Sequence, residues 1–161
     1  MMVVVLADTH TLGSTRPLPS GAWPYIESAD HILHAGDVCD VVLLDELASF
    51  APVTAVLGNC DGLDVKHWGA QSETQLQLAG APIGMVHDSG LTRGRRRRLR
   101  ARFPEARVVV YGHSHHPCNE DEDGLLLLNP GSPTWARLAP WPSMALLWIE
   151  AEKVEAEVIP V

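Results

Sequence analysis

The chain has 161 residues, of which 46% are hydrophobic, and a mean hydropathy of +0.02, values that fit one ordinary domain and exclude an intrinsically disordered protein. The formal net charge of −8 at pH 7 excludes a general nucleic-acid coat, because phosphate binding requires clustered cations. The apolar stretches are far shorter than the about 20 residues that span a bilayer, and no signal peptide precedes the first strand-like segment. We therefore expect a cytoplasmic protein with a single domain over residues 1–161.

The first part of the chain predicts strands that alternate with helices. Residues 2–7 are apolar and rich in valine, which is typical of a buried central strand. Two more strands are expected over 31–35 and 53–57. Helices are expected between them, around Gly21 to Ser28 and over Val41 to Phe50. This β-α-β-α-β order implies parallel pairing of the strands.

The pattern changes after Asn59. Residues 73–78 alternate between apolar and polar, and a turn at 79–82 leads into an apolar run over 83–87, which predicts a hairpin that begins a second, more antiparallel sheet. The remaining predicted elements are, in chain order, a helix over Thr92 to Phe103, a strand over 107–111, short strands near 116–119 and 124–128 around an acidic turn at 119–124, and strands over 143–150 and 153–159 with a turn near Ala151-Glu152. The pattern alone supports an α/β protein with mixed sheet pairing.

Residues suited to metal binding follow the apolar runs, at the points where strands are expected to end. Asp8 and His10 follow the first run, and His113 and His115 follow the run over 108–111. In an extended backbone, residues i and i+2 point to the same face, so each pair is expected to direct two ligands the same way. Open α/β sheets place their binding sites at such strand ends.

Three further runs lead to three further donors, Asp37, Asn59 and His87. The chain therefore offers seven nitrogen or oxygen ligands at strand ends. One metal ion rarely needs so many protein ligands, whereas two ions that share a carboxylate do. The residues therefore predict a dinuclear metal centre.

These residues belong to a series of motifs that resembles the calcineurin-like metallophosphoesterase superfamily. The motifs are Asp8-x-His10, Gly36-Asp37, Gly58-Asn59-x-Asp61, His87, Gly112-His113-Ser114-His115 and Asn129-Pro130-Gly131-Ser132. The short length and the last motif are similar to the small bacterial and archaeal phosphodiesterase branch. The resemblance extends from residue 2 to about residue 149 and implies a four-layer αββα sandwich, in which helices flank two mixed β-sheets.

The resemblance also implies a role for each ligand. Asp8, His10 and His115 are expected to hold a first metal ion, Asn59, His87 and His113 a second, and Asp37 is expected to bridge them. We expect Asp37, Asn59 and His113 to take part in catalysis as well. Imidazole and carboxylate ligands suit transition metals, with manganese favoured over iron, zinc, nickel or cobalt. The implied activity is that of a phosphodiesterase for a small-molecule phosphoester, in which metal-bound hydroxide attacks phosphorus in line.

Four neighbouring residues are expected to orient ligands or to touch substrate. Cys60, one of three cysteines expected to be reduced thiols, stands where many family phosphatases have a histidine that protonates the leaving group. A neutral thiol is a poor general acid, so an aryl diester, whose leaving group is stable as an anion, is favoured over an alkyl monoester. Asp61 is expected to hold a ligand or the substrate, or to cap the following turn. His34 is expected to orient a ligand or to be an ordinary buried strand residue, and the extra carboxylate of Asp88 has no assigned role.

The segment from Arg93 to Arg102 contains seven of the 12 lysine and arginine residues and has two interpretations. Leu99 and Phe103 stand four residues apart, which predicts one buried stripe with the arginines on a solvated face. Alternatively, Arg93 or Arg95 contacts a substrate phosphate or nucleic acid. Two other functions stay open: a non-catalytic scaffold of the same fold, such as the phosphoesterase-like subunit of the retromer, and a nuclease or nucleic-acid-binding protein that uses this helix. A monomer and a small homo-oligomer are both compatible with the sequence.

Overall fold

The structure is a computed structural model that describes residues 1–11, 17–151 and 153–161. Within these ranges the elements are β1 (Met2–Leu6), α1 (Trp23–Glu27), β2 (His31–His34), α2 (Val41–Ala48), β3 (Val53–Ala55), α3 (Leu63–Trp68), β4 (Glu73–Leu78), β5 (Ala81–Val86), α4 (Arg95–Arg102), β6 (Val108–Val110), β7 (Cys118–Glu122), β8 (Leu125–Asn129), β9 (Ser143–Glu150) and β10 (Lys153–Pro160). Glu152, in the predicted turn before the last strand, lies outside the described residues.

The described strands form two five-stranded sheets, with the orders β10-β9-β1-β2-β3 and β4-β5-β6-β8-β7. In the first sheet β1, β2 and β3 are parallel, and β9 and β10 are added antiparallel. In the second sheet β5, β6 and β8 are parallel, and β4 and β7 are the antiparallel edges. Each sheet therefore has two parallel and two antiparallel pairings. The prediction of a more antiparallel second sheet is wrong, because α4 is a crossover that returns the chain parallel to β5.

The two sheets pack face to face, and the helices cover their outer faces. Alternate residues of β1 show this arrangement: Val3 and Val5 are buried between the sheets, whereas Val4 and Leu6 pack toward the helices. On that outer face the contacts come from Ile26 of α1, Leu43, Leu44 and Leu47 of α2, and Val65 of α3. Leu99 of α4 covers the second sheet together with Phe103. The predicted four-layer αββα sandwich is confirmed.

Two elements differ from the sequence-based prediction. Helix α3 was not predicted, because it has six residues and buries only Val65, which is too little for a helical hydrophobic pattern. Strand β7 occupies most of the segment predicted as an acidic turn, and the turn itself is limited to Asp123 and Gly124, which have φ of 51° and 70°. Because β7 is an exposed edge strand, its polar residues need no apolar alternation.

The fold brings several strand ends to one edge of the sandwich. β1, β2 and β3 end there in the first sheet, and β5 and β6 end there in the second. The loops that follow these strands therefore meet between the two sheets. In the part of the chain that the structure describes, no helix has both the length and the apolar character needed to cross a membrane.

Candidate metal centre

The loops after β1, β2, β3, β5 and β6 carry the seven predicted metal ligands to this edge. Five of them are buried, namely Asp8, His10, Asp37, His87 and His115. Asn59 and His113 are exposed at the mouth. The cluster is therefore closed on the side of the sheets and open to solvent on the side of these two residues.

The ligands predicted for the first ion lie together. His115 Nε2 is 3.2 Å from His10 Nε2 and 3.4 Å from Asp8 Oδ1. The donor atoms of these three residues all lie within 4.8 Å of one another. Imidazole and carboxylate at such spacing form a donor set that suits a divalent transition metal.

The ligands predicted for the second ion form an adjoining group. Asn59 Oδ1 is 2.9 Å from His113 Nδ1 and 3.2 Å from His87 Nε2. Asp37 Oδ2 lies between the two groups, 3.4 Å from His87 Nε2 and 3.7 Å from His10 Nε2. The structure therefore places Asp37 where a shared carboxylate would stand.

The backbone around these ligands is not extended. Of ten non-glycine residues with positive φ in the described chain, five are predicted ligands: Asp8 at 53°, His10 at 44°, Asp37 at 57°, His113 at 68° and His115 at 58°. The expectation that each pair extends from a strand with i, i+2 geometry is therefore wrong. The side chains converge because the chain turns sharply after β1 and β6. Such conformations cost about 1–3 kcal/mol each and persist where neighbouring structure imposes them.

Hydrogen bonds at the far side of two imidazole rings fix their orientation. His115 Nδ1 lies 2.6 Å from the carbonyl oxygen of Trp135, and His87 Nδ1 lies 2.7 Å from that of Ala35. Because a carbonyl oxygen only accepts, Nδ1 carries the proton in both rings. In the neutral His115 ring, Nε2 then presents a lone pair to the centre, as metal-binding histidines do.

The first group of ligands directs a lone pair at a buried carboxylate. The lone pair of His115 Nε2 faces the Asp8 carboxylate, and Asp8 Oδ2 is buried without a hydrogen-bond partner. Burial lowers the pKa of His115 to about 4, so this ring is neutral at pH 7 and supplies no proton to the pair. Burial also raises the pKa of Asp8 to about 7. The donor set therefore fits divalent metal ions.

Asp37 and His87 form a more polar pair. Burial alone would raise the pKa of Asp37, but hydrogen bonds from His87 and from the Cys60 amide hold it well below its usual range. Burial would lower the pKa of His87, and the bond to Asp37 together with the Ala35 carbonyl raises it instead. The Asp37 carboxylate is therefore ionised and able to bind a cation.

Asp61 holds the loops that carry two predicted ligands. Its carboxylate accepts the backbone N–H groups of Asp37 at 2.9 Å, Cys39 at 2.8 Å and Gly58 at 2.7 Å. It thus positions the loops after β2 and β3 and does not cap the following turn. The loops are so close that a Cβ on Gly58 would lie 2.1 Å from Asp37 Oδ1, which only glycine avoids.

The Asn129-Pro130-Gly131-Ser132 motif supports the opposite side. The Asn129 amide donates to the Gly112 carbonyl at 3.0 Å and to Ser114 Oγ at 3.2 Å. Ser132 Oγ donates to the carbonyl of Asp8 at 2.7 Å. These bonds fix the positive-φ turns at Asp8 and in the loop after β6.

The other predicted neighbours differ in their contacts. His34 is fully buried, and burial lowers its pKa to about 4. Its Nε2 lies 3.1 Å from the hydroxyl of Thr9, which stands between two predicted ligands in the sequence. Asp88 is exposed and accepts the N–H of Gly90 in its own turn, at the cleft that Asn59, His87 and His113 also line. Cys60 is exposed at the mouth, where its N–H donates to Asp37 Oδ1 at 2.8 Å.

Sequence reasoning missed three supporting groups. The carbonyls of Ala35 and Trp135 orient two imidazole rings, and backbone acceptors leave no signal in residue type. Ser132 belongs to the last sequence motif, but no structural role was predicted for it. A hydroxyl after a Pro-Gly turn commonly forms a hydrogen bond with the backbone. Trp135 also packs edge-on against the rings of His10 and His115, with centroids 5.7 and 5.5 Å apart.

A four-layer sandwich with imidazole, carboxylate and amide donors at its strand ends defines a metal-dependent phosphoesterase fold. The chain belongs to the calcineurin-like phosphoesterase superfamily, whose domain model matches residues 1–152. It is 34% identical to a probable metallophosphoesterase of Methanothermobacter thermautotrophicus, over 99% of this chain and 92% of the relative. It is 37% identical to another of Methanocaldococcus jannaschii, over 100% of this chain and 82% of the relative.

Solved structures share the same architecture. Vps29 of Entamoeba histolytica in complex with Zn²⁺ has a TM-score of 0.79 at 21% identity, covering 99% of this chain and 98% of that chain. An archaeal phosphodiesterase has a TM-score of 0.73 at 21% identity, covering 99% and 100%. At these identities the likeness concerns the fold.

Proposed function

We propose that the protein is a phosphodiesterase that holds two divalent metal ions. The observation that carries this proposal is the convergence of seven donors, with the His115 lone pair facing the Asp8 carboxylate across a 3.4 Å gap. Asp8, His10 and His115 would hold the first ion, Asn59, His87 and His113 the second, and Asp37 would serve both. Manganese is the favoured metal, because imidazole and carboxylate ligands together suit it.

The ions would lower the pKa of a coordinated water and stabilise charge on the phosphoryl oxygens. Two carboxylates against about four positive charges leave this centre with a positive charge of about two, which attracts an anionic ester. Asn59 and His113 are exposed at the mouth, so the substrate phosphate would approach from their side. Arg137 adds a cation there, with Nη1 3.5 Å from the His113 carbonyl and its guanidinium 4.8 Å from the centroid of the Trp135 ring.

Cys60 is the reason to favour a diester over a monoester. Burial and the nearby Asp37 carboxylate raise the pKa of this thiol, which makes it a still weaker general acid. A leaving group that is stable as an anion needs no such acid. The archaeal phosphodiesterase of the same fold is in line with this preference. We further propose a cytoplasmic enzyme with one domain over 1–161, a monomer or small homo-oligomer, that acts on a small-molecule phosphoester.

A non-catalytic scaffold is the second candidate, favoured by the likeness to Vps29. A nucleic-acid-binding function has less support, because five of the seven arginines between Arg93 and Arg102 are engaged within the chain. The presence of all seven metal-binding donors favours an enzyme over a scaffold.

The deciding experiment is elemental analysis of the purified protein with a phosphoester panel on the same preparation. We expect about two divalent ions per chain, hydrolysis of an aryl phosphodiester, loss of hydrolysis on chelation and recovery with Mn²⁺. Metal-free protein that hydrolyses the ester equally well would refute the mechanism. Bound ions without hydrolysis of any ester would favour the scaffold.

A further inference from the structure

A second group of metal-binding side chains lies beside the candidate metal centre. It consists of the thiols of Cys39 and Cys60 and one ring nitrogen of His10, and these three ligand atoms lie within 4.8 Å of one another. Cys39 is in the loop after β2 and Cys60 in the loop after β3. The loops that carry Asp37 and Asn59 therefore also bring two thiols together.

The spacing of two of these donors matches tetrahedral coordination. Cys39 Sγ lies 3.5 Å from His10 Nδ1. Bonds of about 2.3 Å from zinc to sulfur and about 2.0–2.1 Å to nitrogen, at a tetrahedral angle, separate the two donor atoms by about 3.5 Å. The distance between these two atoms, which also fits a hydrogen bond between them, is therefore compatible with one tetrahedral ion.

Carboxylates hold both cysteines in place. The N–H of Cys39 donates to Asp61 Oδ1 at 2.8 Å, and the N–H of Cys60 donates to Asp37 Oδ1 at 2.8 Å. Cys39 also has φ of 68°, a conformation that non-glycine residues keep only where the surroundings impose it. The two carboxylates place negative charge beside the thiols, which favours a cation there.

We propose that Cys39, Cys60 and His10 form a third metal site, selective for thiophilic cations such as Zn²⁺ or Cd²⁺. Thiolate and imidazole ligands select these ions, whereas Mn²⁺ prefers oxygen and nitrogen donors. Binding releases the two thiol protons to solvent, and three protein ligands leave the fourth position to water. Cys60 is exposed, so the site is open to ions from solution.

The site shares one imidazole with the proposed dinuclear centre. His10 directs Nδ1 toward Cys39, and its Nε2 lies 3.2 Å from His115 Nε2. A thiophilic ion therefore competes for a ligand of the first metal and is expected to inhibit the manganese enzyme. This consequence rests on the proposed function, whereas the binding test below does not.

The test is a titration of the reduced, Mn²⁺-loaded protein with Cd²⁺, followed by the ultraviolet charge-transfer absorbance of cadmium–thiolate bonds. We expect the band to saturate at about one equivalent of Cd²⁺ per chain, as a single site requires. Cys39→Ser and Cys60→Ser are each expected to lose the band. Cys118→Ser is expected to keep it in full and is the matched control, because Cys118 is a half-buried thiol in β7 and does not belong to the group of His10, Cys39 and Cys60.

Thiol labelling of the wild-type protein tests the third site even if one of the variants fails to fold. Cd²⁺ is expected to protect Cys39 and Cys60 from an alkylating reagent, as peptide mass analysis would show, while Cys118 is labelled as before. Mn²⁺ alone is expected to protect neither thiol from the reagent. Absence of the charge-transfer band, a band retained in both folded variants, or labelling of Cys39 and Cys60 that Cd²⁺ does not reduce would overturn the third site.

Discussion

The carboxylate of Asp37 lies between two groups of donors, 3.4 Å from His87 Nε2 and 3.7 Å from His10 Nε2. It also accepts the N–H of Cys60, so the side chain is fixed in this position. If Asp37 binds both ions, its loss removes one ligand from each ion, and the affinity for both ions should fall. Partners that only orient metal ligands already change metal affinity or activity by about 10–100-fold.

We therefore expect Asp37→Ala to lose both ions and to lower kcat/KM for an aryl diester by more than about 100-fold. Circular dichroism should stay unchanged, since Asp37 lies outside the apolar core. Elemental analysis and steady-state kinetics measure the two effects.

Asp88→Ala is the matched control for this substitution. It removes the same charge from a loop of the same edge, but Asp88 is exposed and bonds to Gly90 in its own turn. We expect its metal content to stay at the wild-type level. An Asp37→Ala protein that keeps its metal and most of its activity would show that the ligand assignment is wrong.

Cys60 leads to a prediction about leaving groups. An alkyl phosphate monoester expels a poor leaving group, and protonation by a positioned acid typically accelerates such a step by about 10²–10⁴-fold. An aryl leaving group is stable as an anion and needs little help. We expect an aryl diester to be turned over faster than an alkyl monoester such as a sugar phosphate, and Cys60→His to narrow the difference.

The comparison requires kcat/KM for both substrates across pH, in wild type and in Cys60→His. Cys60→Ser is the control, because it replaces the thiol by a group that is also no general acid at neutral pH. A wild-type preference for the alkyl monoester would mean that another residue supplies the proton.

Residue type at strand ends was sufficient to predict which side chains gather in the candidate site. Asp8, His10 and Asp37 lie where the apolar runs end, and residue order alone identified them. Their backbone conformations could not be predicted, because positive φ at an aspartate or histidine is imposed by tertiary contacts such as the bond from Ser132 to the Asp8 carbonyl.

At the scale of elements, α4 is attached to the protein by its arginines. Arg96 donates to the carbonyls of Glu120 and Glu122 at 3.0 Å each and to that of Leu125 at 2.6 Å. Arg95 donates to the Tyr111 hydroxyl at 3.0 Å, and Arg100 to the Ala106 carbonyl at 2.9 Å. Arg98 and Arg102 also bond within the chain, to Ser89 and Glu73. Arg95, Arg96 and Arg100 are half-buried, so the prediction of a solvated face is wrong for these three, whereas Arg98 and Arg102 are exposed as predicted.

Arg96 and Arg97 are neighbours on this helix with different environments, which gives an internal comparison. Arg96→Ala removes bonds to three backbone carbonyls and is expected to lower the free energy of unfolding by about 1–3 kcal/mol. Arg97 is exposed, and Arg97→Ala is expected to change the free energy of unfolding by less than about 0.5 kcal/mol. Urea denaturation measures both. Equal effects of the two substitutions would contradict the role assigned to Arg96.

The sequence predicted elements wherever apolar residues repeat with a clear period. Strand β1 and helix α2 were predicted within a few residues of their bounds. Helix α3 was not predicted, because it buries one side chain, and strand β7 was predicted two to three residues too early, because it is a polar edge. Their positions depend on partners elsewhere in the chain, such as the pairing of β7 with β8. The local hydrophobic pattern of a segment does not show which distant segments it pairs with.

At the scale of the whole molecule, the candidate centre connects the two sheets. Asp8, Asp37 and Asn59 come from loops of the first sheet, and His87 and the histidines after β6 come from the second. Ions bound to both sets would link the halves of the sandwich. The buried carboxyl of Asp8 lies at this place; burial raises its pKa to about 7, and its Oδ2 has no hydrogen-bond partner.

Metal binding is therefore expected to stabilise the folded protein. Two ions that each bind only the folded state, at 100 times their Kd, add about 5.4 kcal/mol, and each kcal/mol raises the Tm of a domain of this size by about 2–4 °C. We expect Mn²⁺ to raise the Tm of the chelated protein by about 11–22 °C, as measured by calorimetry with matched buffers. Asp37→Ala should show a much smaller rise, whereas Asp88→Ala should match the wild type. A wild-type Tm that does not respond to Mn²⁺, in protein shown to bind it, would mean that the unfolded chain binds the ions as well as the folded centre does.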